Sequence, residues 1–297
     1  MKNTIFTGAG VAIITPMLED GTVDFEGLGK NIDFQIENGT DAIIICGTTG
    51  ESSTLSDEEH RACIKYAVDH THNRVPVIAG TGSNDTKYAI ELSQEAQELG
   101  ADALLLVTPY YNKTTQRGLV AHYTAIADSV ELPSILYNIP SRTGVGFDIS
   151  TIAVLAQHKN IVAVKEASGS ISYVAKLAAK CGKDVDIYSG NDDMIVPIMS
   201  LGGKGVISVL SNVIPKQTHQ MAQDCLNNDF ASGSALQLEY LQLCNDLFME
   251  VNPIPVKEAM NQMGLPAGPC RMPLVEMSEE HKAALHQTLL AYGLVKD

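Results

Sequence analysis

Positive charge is scarce in this chain: 20 Lys and Arg stand against 35 Asp and Glu, for a net charge of −15. Nucleic acid and anionic membranes need clustered cations, so neither is expected as a general partner, although a local cationic pocket stays open. Long apolar runs are missing as well. No stretch reaches the ~18 residues of a membrane span, and Met1 to Gly10 hold no apolar core of an export signal, so neither is expected. The six cysteines (Cys46, Cys63, Cys181, Cys225, Cys244, Cys270) form no C-x-x-C pair. Reduced thiols in a cytoplasmic protein are the expectation. The histidines lack H-x-x-x-H and H-E-x-x-H spacing, and His70-Thr-His72 falls near the end of a predicted helix, so no metal site is expected. Gly8-Ala-Gly10 and Gly80-Thr-Gly82 lack the third glycine of G-x-G-x-x-G, which removes the usual fingerprint of a doubly wound nucleotide-binding sheet. There is no low-complexity tract, and no repeat beyond the β/α period described next.

What is present is an ordinary globular composition, 45% hydrophobic and 19% charged over 297 residues, long enough for two domains or one large barrel. Eight short apolar runs recur: 10–14, 41–45, 75–79, 102–107, 133–137, 161–164, 186–189 and 205–209. They are apolar at nearly every position, as parallel strands covered on both faces should be. Stretches of helical period lie between them. Tyr88, Leu92, Ala96 and Leu99 share one face before Gly100, and Ser56-Asp-Glu-Glu59 fits a capping box. Eight β-then-α units predict a (β/α)8 TIM barrel over residues 1–228, with a C-terminal helical extension over 229–297. That extension reads as three helices, broken near Asn252-Pro-Ile-Pro255 and Gly264-Leu-Pro-Ala-Gly-Pro269.

Barrel enzymes carry their chemistry at the C-terminal ends of the strands. Five segments fall there: Gly47-Thr-Thr-Gly-Glu-Ser52, Thr108-Pro-Tyr-Tyr-Asn112, Tyr137-Asn-Ile-Pro-Ser-Arg-Thr-Gly144, Lys165 at the end of strand six, and Gly190-Asn-Asp-Asp193. Gly202-Gly-Lys-Gly205 looks like a phosphate loop but precedes strand eight, on the opposite rim, where it reads as a turn. A lysine against buried valines loses hydration, its pKa falls, and the amine becomes a nucleophile able to form Schiff bases. Alone, such a lysine is more often a packing residue whose amine reaches water. The glycines around Thr48 and Thr49 permit a sharp turn with adjacent N–H groups free for a small carboxylate, or simply a tight turn. Tyr137, one strand from Lys165, is placed to pass protons or to anchor a hydrogen bond. Arg142 suits a bidentate carboxylate clamp, and Tyr110 and Tyr111 are free to reach outward or to pack.

Together G-T-T-G-E at 47–51, Y-N-I-P-S-R-T-G at 137–144, V-K-E-A-S-G at 164–169 and N-P-I-P-V-K at 252–257 closely resemble the pyruvate-dependent class I aldolase family, over nearly the whole chain. The resemblance is strongest to the branch that condenses pyruvate with aspartate 4-semialdehyde at the first committed step of diaminopimelate and lysine synthesis. The N-acetylneuraminate lyases share the lysine and tyrosine but have G-S-T-G-E in the first loop and generally lack an arginine at position 142. The resemblance implies that Lys165 forms the pyruvate imine and needs no further cofactor, and that Thr49, Tyr137 and Tyr111 relay protons. It implies further that Tyr111 is donated by a neighbouring subunit of a homotetramer. Thr48 and Thr49 amides would hold the pyruvate carboxylate, Arg142 that of the semialdehyde, and Gly190 and Ile207 would contact substrate. In members inhibited by lysine, the effector cleft corresponds to Ser52, Ser53, Leu55, Asp57, His60, Asn84, Tyr88 and Tyr110. Here Asp57 replaces a frequent histidine and Tyr88 replaces the glutamate that pairs with the effector amines, so weak or absent feedback is expected. Two other readings remain: a lyase releasing pyruvate from a 2-keto-3-deoxy sugar acid or N-acetylneuraminate, and a keto-acid sensor without turnover.

Overall fold

The computed structural model describes residues 2–296. Eight parallel strands, β1 (Gly8–Ala12), β2 (Ala42–Ile45), β3 (Val77–Gly80), β4 (Ala103–Val107), β5 (Ser134–Asn138), β6 (Ile161–Glu166), β7 (Asp186–Ser189) and β8 (Gly205–Ser208), close into a barrel in chain order. Closure is made by β1 against β8, with Gly8 opposite Gly205 and Gly10 opposite Ile207. A methyl group on Gly205 would lie 1.9 Å from the Gly8 carbonyl oxygen, so the seam closes only because that side chain is absent. Alternation along each strand divides the core in two. Ala12, Ile44, Ile78, Leu105, Ile135, Ala163 and Ile207 fill the barrel with Phe6 and Tyr188, whose rings stack at 4.4 Å. Val11, Ile43, Ile45, Leu104, Leu136 and Val164 pack against the helices outside.

Most strand boundaries lie one or two residues from the expected runs, and two of these shifts have a visible cause or consequence. The apolar run 10–14 overshoots β1, because Ile14 N–H leaves the ladder to bond Asn212 Oδ1 at 3.2 Å while Gly8 and Ala9 enter it. β6 runs two residues past the last valine: Lys165 pairs with Tyr188 and Glu166 with Ser189. Lys165 therefore sits inside a strand, not at its end. The helix Asp57–Thr71 starts with the expected capping box, Ser56 accepting from Glu59 N–H and Glu59 from Ser56 N–H.

Beyond the barrel helix Pro215–Leu226 the described residues form four helical segments, Phe230–Glu239, Leu241–Asp246, Ile254–Gln262 and Glu279–Ala291, where three were expected. The additional break falls at Tyr240, with no Gly or Pro to signal it; Tyr240 instead packs its ring 5.2 Å from Tyr292. The last three share a core with Ile14, Val209, Leu210, Val213 and Ile214, just past the C-terminal ends of β1 and β8, whereas Phe230 and Leu236 of the first pack against Ile195, Val196 and Met221. Leu243, Leu247, Leu285 and Leu289 are fully buried there, each stabilising by roughly 1.5–3 kcal/mol before the entropy of ordering. The extension is thereby seated at the catalytic rim. No helix among the described residues is long and apolar enough to cross a membrane.

Candidate active site

Adjacent strands β5 and β6 place Tyr137 directly opposite Lys165. Because Ile135 and Ala163, two residues earlier on each strand, face the barrel interior, Tyr137 and Lys165 do too, one layer nearer the rim. Lys165 Nζ lies 4.2 Å from the centre of the Tyr137 ring. Gly190 makes room beside it: a methyl there would come within 3.1 Å of Lys165 Cε and 2.7 Å of Ala167 Cβ. Lys165 is 5% exposed. Burial brings its pKa from the ordinary 10.5 to about 7, opposed by the Asp192 carboxylate and assisted by the Arg142 charge. Burial thereby favours the unprotonated amine near neutrality far more than in an exposed lysine, and a nucleophile requires that form. Tyr137 is pushed up to about 12 by burial, with Arg142 and a Thr48 hydroxyl opposing. It therefore keeps its proton near neutral pH.

Thr48, Thr49, Tyr137, Arg142, Lys165 and Gly190 line one cavity of about 490 Å³. Neither Thr48 nor Thr49 N–H meets an acceptor among the described residues. The turn that frees them was expected to rest on its glycines, yet the left-handed residues are Cys46 (φ 55°) and Glu51 (φ 54°). Gly50 is needed for a different reason, since a methyl on it would crowd the Ile13 carbonyl at 3.2 Å. Arg142, in the short helix Pro140–Thr143, donates Nη2 to the Asn252 carbonyl at 3.2 Å. Ile207 is 1% exposed inside the barrel and borders neither this cavity nor the next. Tyr111 is 92% exposed in a left-handed conformation (φ 68°) and borders neither.

A second cavity of about 520 Å³ shares the wall formed by Thr48, Tyr137 and Arg142. Ser52, Ser53, Leu55, His60, Tyr88 and Tyr110 line it, which gathers most of the effector positions named from the sequence. Asp57 and Asn84 stand behind that lining: Tyr88 donates its phenol to Asp57 Oδ1 at 2.5 Å, and Asn84 Nδ2 donates to the Tyr110 carbonyl at 3.1 Å. Among the described residues no group of three or more His, Cys, Asp or Glu is placed to hold a metal ion.

Sequence reasoning missed three contributors. Asp192, buried on the cavity wall, accepts N–H bonds from Val209 and Leu210 at 3.0 and 2.9 Å; burial raises its pKa, and Ser208, those N–H groups and Lys165 oppose the rise. Asn252 donates Nδ2 to Thr49 Oγ1 at 3.0 Å, reaching the site from the extension. Lys257 pairs with Glu51 at 2.8 Å, both buried. The N-P-I-P-V-K run was the only signal for the last two.

A parallel barrel with a buried amine of lowered pKa, a protonated phenol and two free amides on one rim cavity defines an enzyme of the imine-forming barrel class. The chain belongs to the dihydrodipicolinate synthetase family, whose profile matches residues 5–292. It is 60% identical over 292 residues to the 4-hydroxy-tetrahydrodipicolinate synthase of Lachnoclostridium phytofermentans, covering 98% of this chain and 99% of that one. It is 55% identical to the enzyme of the same name from Acetivibrio thermocellus, covering 99% and 100%. Among solved structures, the dihydrodipicolinate synthase of Aquifex aeolicus superposes with a TM-score of 0.96 at 44% identity, covering 98% and 100%. The chloride-inhibited dihydrodipicolinate synthase of Acinetobacter baumannii, complexed with pyruvate, does so with a TM-score of 0.96 at 46% identity.

Proposed function

We propose that this chain is a 4-hydroxy-tetrahydrodipicolinate synthase that condenses pyruvate with L-aspartate 4-semialdehyde, the first committed step of diaminopimelate and lysine synthesis. One observation carries the reading: a buried amine with a pKa of about 7 shares a cavity wall with Tyr137, Arg142 and two amides that have no acceptor. Lys165 Nζ adds to the pyruvate ketone carbon, and loss of water gives the imine. A proton then leaves the methyl carbon, and the resulting enamine carbon bonds the aldehyde carbon of the second substrate. Attack on the imine carbon by the substrate's own amine closes the ring and returns Lys165 as free amine. Tyr137 and Thr49 move protons without adding buried charge beside the iminium. The imine holds the electrons of the bond-forming step, so the reaction draws on no metal or organic cofactor.

In this reading Thr48 and Thr49 amides hold the pyruvate carboxylate, and Arg142 clamps that of the semialdehyde. Gly190 supplies space for the imine. Tyr111, so fully exposed in one chain, completes the relay of a neighbour in a homotetramer, and Ile207 supports the bound pyruvate from below. Borohydride reduction in the presence of pyruvate, followed by peptide mass mapping, should trap the adduct on Lys165. Labelling elsewhere removes the mechanism. An assay with aspartate semialdehyde then separates this activity from pyruvate release from N-acetylneuraminate, which should be slight.

A further inference from the structure

The turn at 47–51 carries the two free amides, and its anchors come from distant parts of the chain. Thr15 donates Oγ1 to the Gly50 carbonyl at 2.7 Å. Glu51 ends the turn in left-handed backbone, a conformation that a non-glycine residue holds only when its surroundings enforce it. Its carboxylate is buried and bonded at both oxygens, Oε1 accepting from Lys257 Nζ at 2.8 Å and Oε2 from Arg271 N–H at 2.8 Å. Lys257, in the helix Ile254–Gln262, is 1% exposed. It uses all three protons: on Glu51, on the Pro269 carbonyl at 2.6 Å and on the Thr15 carbonyl at 3.2 Å. Arg271 continues the tie by donating to Glu59 and to the Thr54 carbonyl.

A buried ion pair is poor evidence for stability, because desolvation offsets much of the attraction, and apolar side chains of similar volume would bind the extension equally well. What the pair supplies is direction. Three bonds converging on one nitrogen fix Glu51 relative to β1 and the extension, and Glu51 lies two residues from Thr49. Neither Glu51 nor Lys257 borders the Lys165 cavity, so neither acts on substrate directly.

We propose that Lys257 is a positioning residue: from the C-terminal extension it holds Glu51 in place and thereby aims the Thr48 and Thr49 amides at the keto-acid carboxylate. The assignment rests on the reading that those amides bind pyruvate, and it deepens that reading by making pyruvate affinity depend on the extension. Lys257→Met alone strands a buried carboxylate. The double variant Glu51→Gln with Lys257→Met leaves no buried ion and keeps an oxygen for Arg271 N–H.

The test titrates pyruvate against borohydride trapping in the assembled wild-type enzyme, the single variant and the double variant. Both variants should need about 10 to 100 times more pyruvate for half-maximal trapping, while saturating pyruvate still labels Lys165 fully. A folded double variant with wild-type half-saturation overturns the assignment, however far its melting temperature has fallen. A double variant too unstable to purify overturns it equally, since the pair would then hold the fold and not the turn. Failure of the wild-type control to trap pyruvate on Lys165 would instead sink the underlying reading.

Discussion

Replacing Lys165 with methionine should make the protein more stable and inactive. Met matches the length of the lysine stem without its charge, so the substitution removes an amine whose burial disfavours the charged form. The sign follows from linkage. Lys165 has a folded-state pKa of about 7 against an ordinary 10.5, so between those values the unfolded chain binds a proton that the folded chain releases. The penalty is fully present below about pH 7 and disappears as pH rises through the unfolded value. At ~1.4 kcal/mol per pKa unit it is on the order of 4 kcal/mol at pH 7 and 2 kcal/mol at pH 9. Part of that will not be recovered, because Asp192 loses a neighbouring cation and keeps only its Val209 and Leu210 N–H donors and Ser208. A net gain of roughly 2–4 kcal/mol at pH 7 remains, which for a chain of this length raises the melting temperature by about 3–6 °C. Scanning calorimetry of Lys165→Met and wild type, without pyruvate and at equal concentration, reads it directly. A variant that melts at or below wild type at pH 7 refutes the reasoning. So does a gap that fails to narrow between pH 7 and pH 9.

Imine formation should follow the same ionisation: with pyruvate held well below saturation, so that the free enzyme is the reacting form, the rate of pyruvate trapping rises with pH and levels off above about 7. A rate still climbing steeply at pH 9 would mean that the amine is not held down by burial. Tyr137→Phe removes the donor and should lower kcat by about 10²–10⁴-fold with little change in melting temperature; retention of most activity would exclude the phenol from the relay. Arg142→Ala should lower kcat/KM for the semialdehyde roughly 10- to 150-fold, the loss of a charge-assisted hydrogen bond, while pyruvate trapping falls much less, by the loss of the Arg142 charge that helps lower the Lys165 pKa. An equal loss for both substrates would reassign Arg142. Lysine should inhibit weakly, because Tyr88 already spends its phenol on Asp57 and presents no carboxylate to an amine. Near-complete inhibition at submillimolar lysine would show that the cleft binds it by other means.

The frame of the molecule was legible because parallel strands buried on both faces leave unbroken apolar runs, and eight of them in alternation with helices leave few topologies. Closure itself was not written in any segment. It depends on Gly8 meeting Gly205, a contact between the two ends of the barrel sequence. Lys165, Tyr137 and Arg142 were readable for a related reason: strand neighbours share a rim, so residues after consecutive strands converge without further information. The anchors of the site were not. Asn252 meets Thr49 across 203 residues, and Lys257 meets Glu51 across 206.

Nothing local distinguishes a glutamate or lysine that will be buried from one that will be solvated; packing of the extension decides it. Likewise Cys46 and Glu51 carry left-handed backbone in a sharp turn that sequence reasoning credited to its flanking glycines, because the tertiary ties at Glu51 impose a conformation that residue type does not announce. The rim motifs thus bring the candidate groups together, whereas the partners that hold those groups sit in the N-P-I-P-V-K run, which marks a break in the extension without announcing what its Asn252 and Lys257 will meet. A chain could keep G-T-T-G-E, the tyrosine and the lysine intact and still lose the geometry of the site through a change at Asn252 or Lys257. Those motifs are therefore evidence of the reaction class, and the extension has to be read with them before the amides at Thr48 and Thr49 can be counted as a binding site.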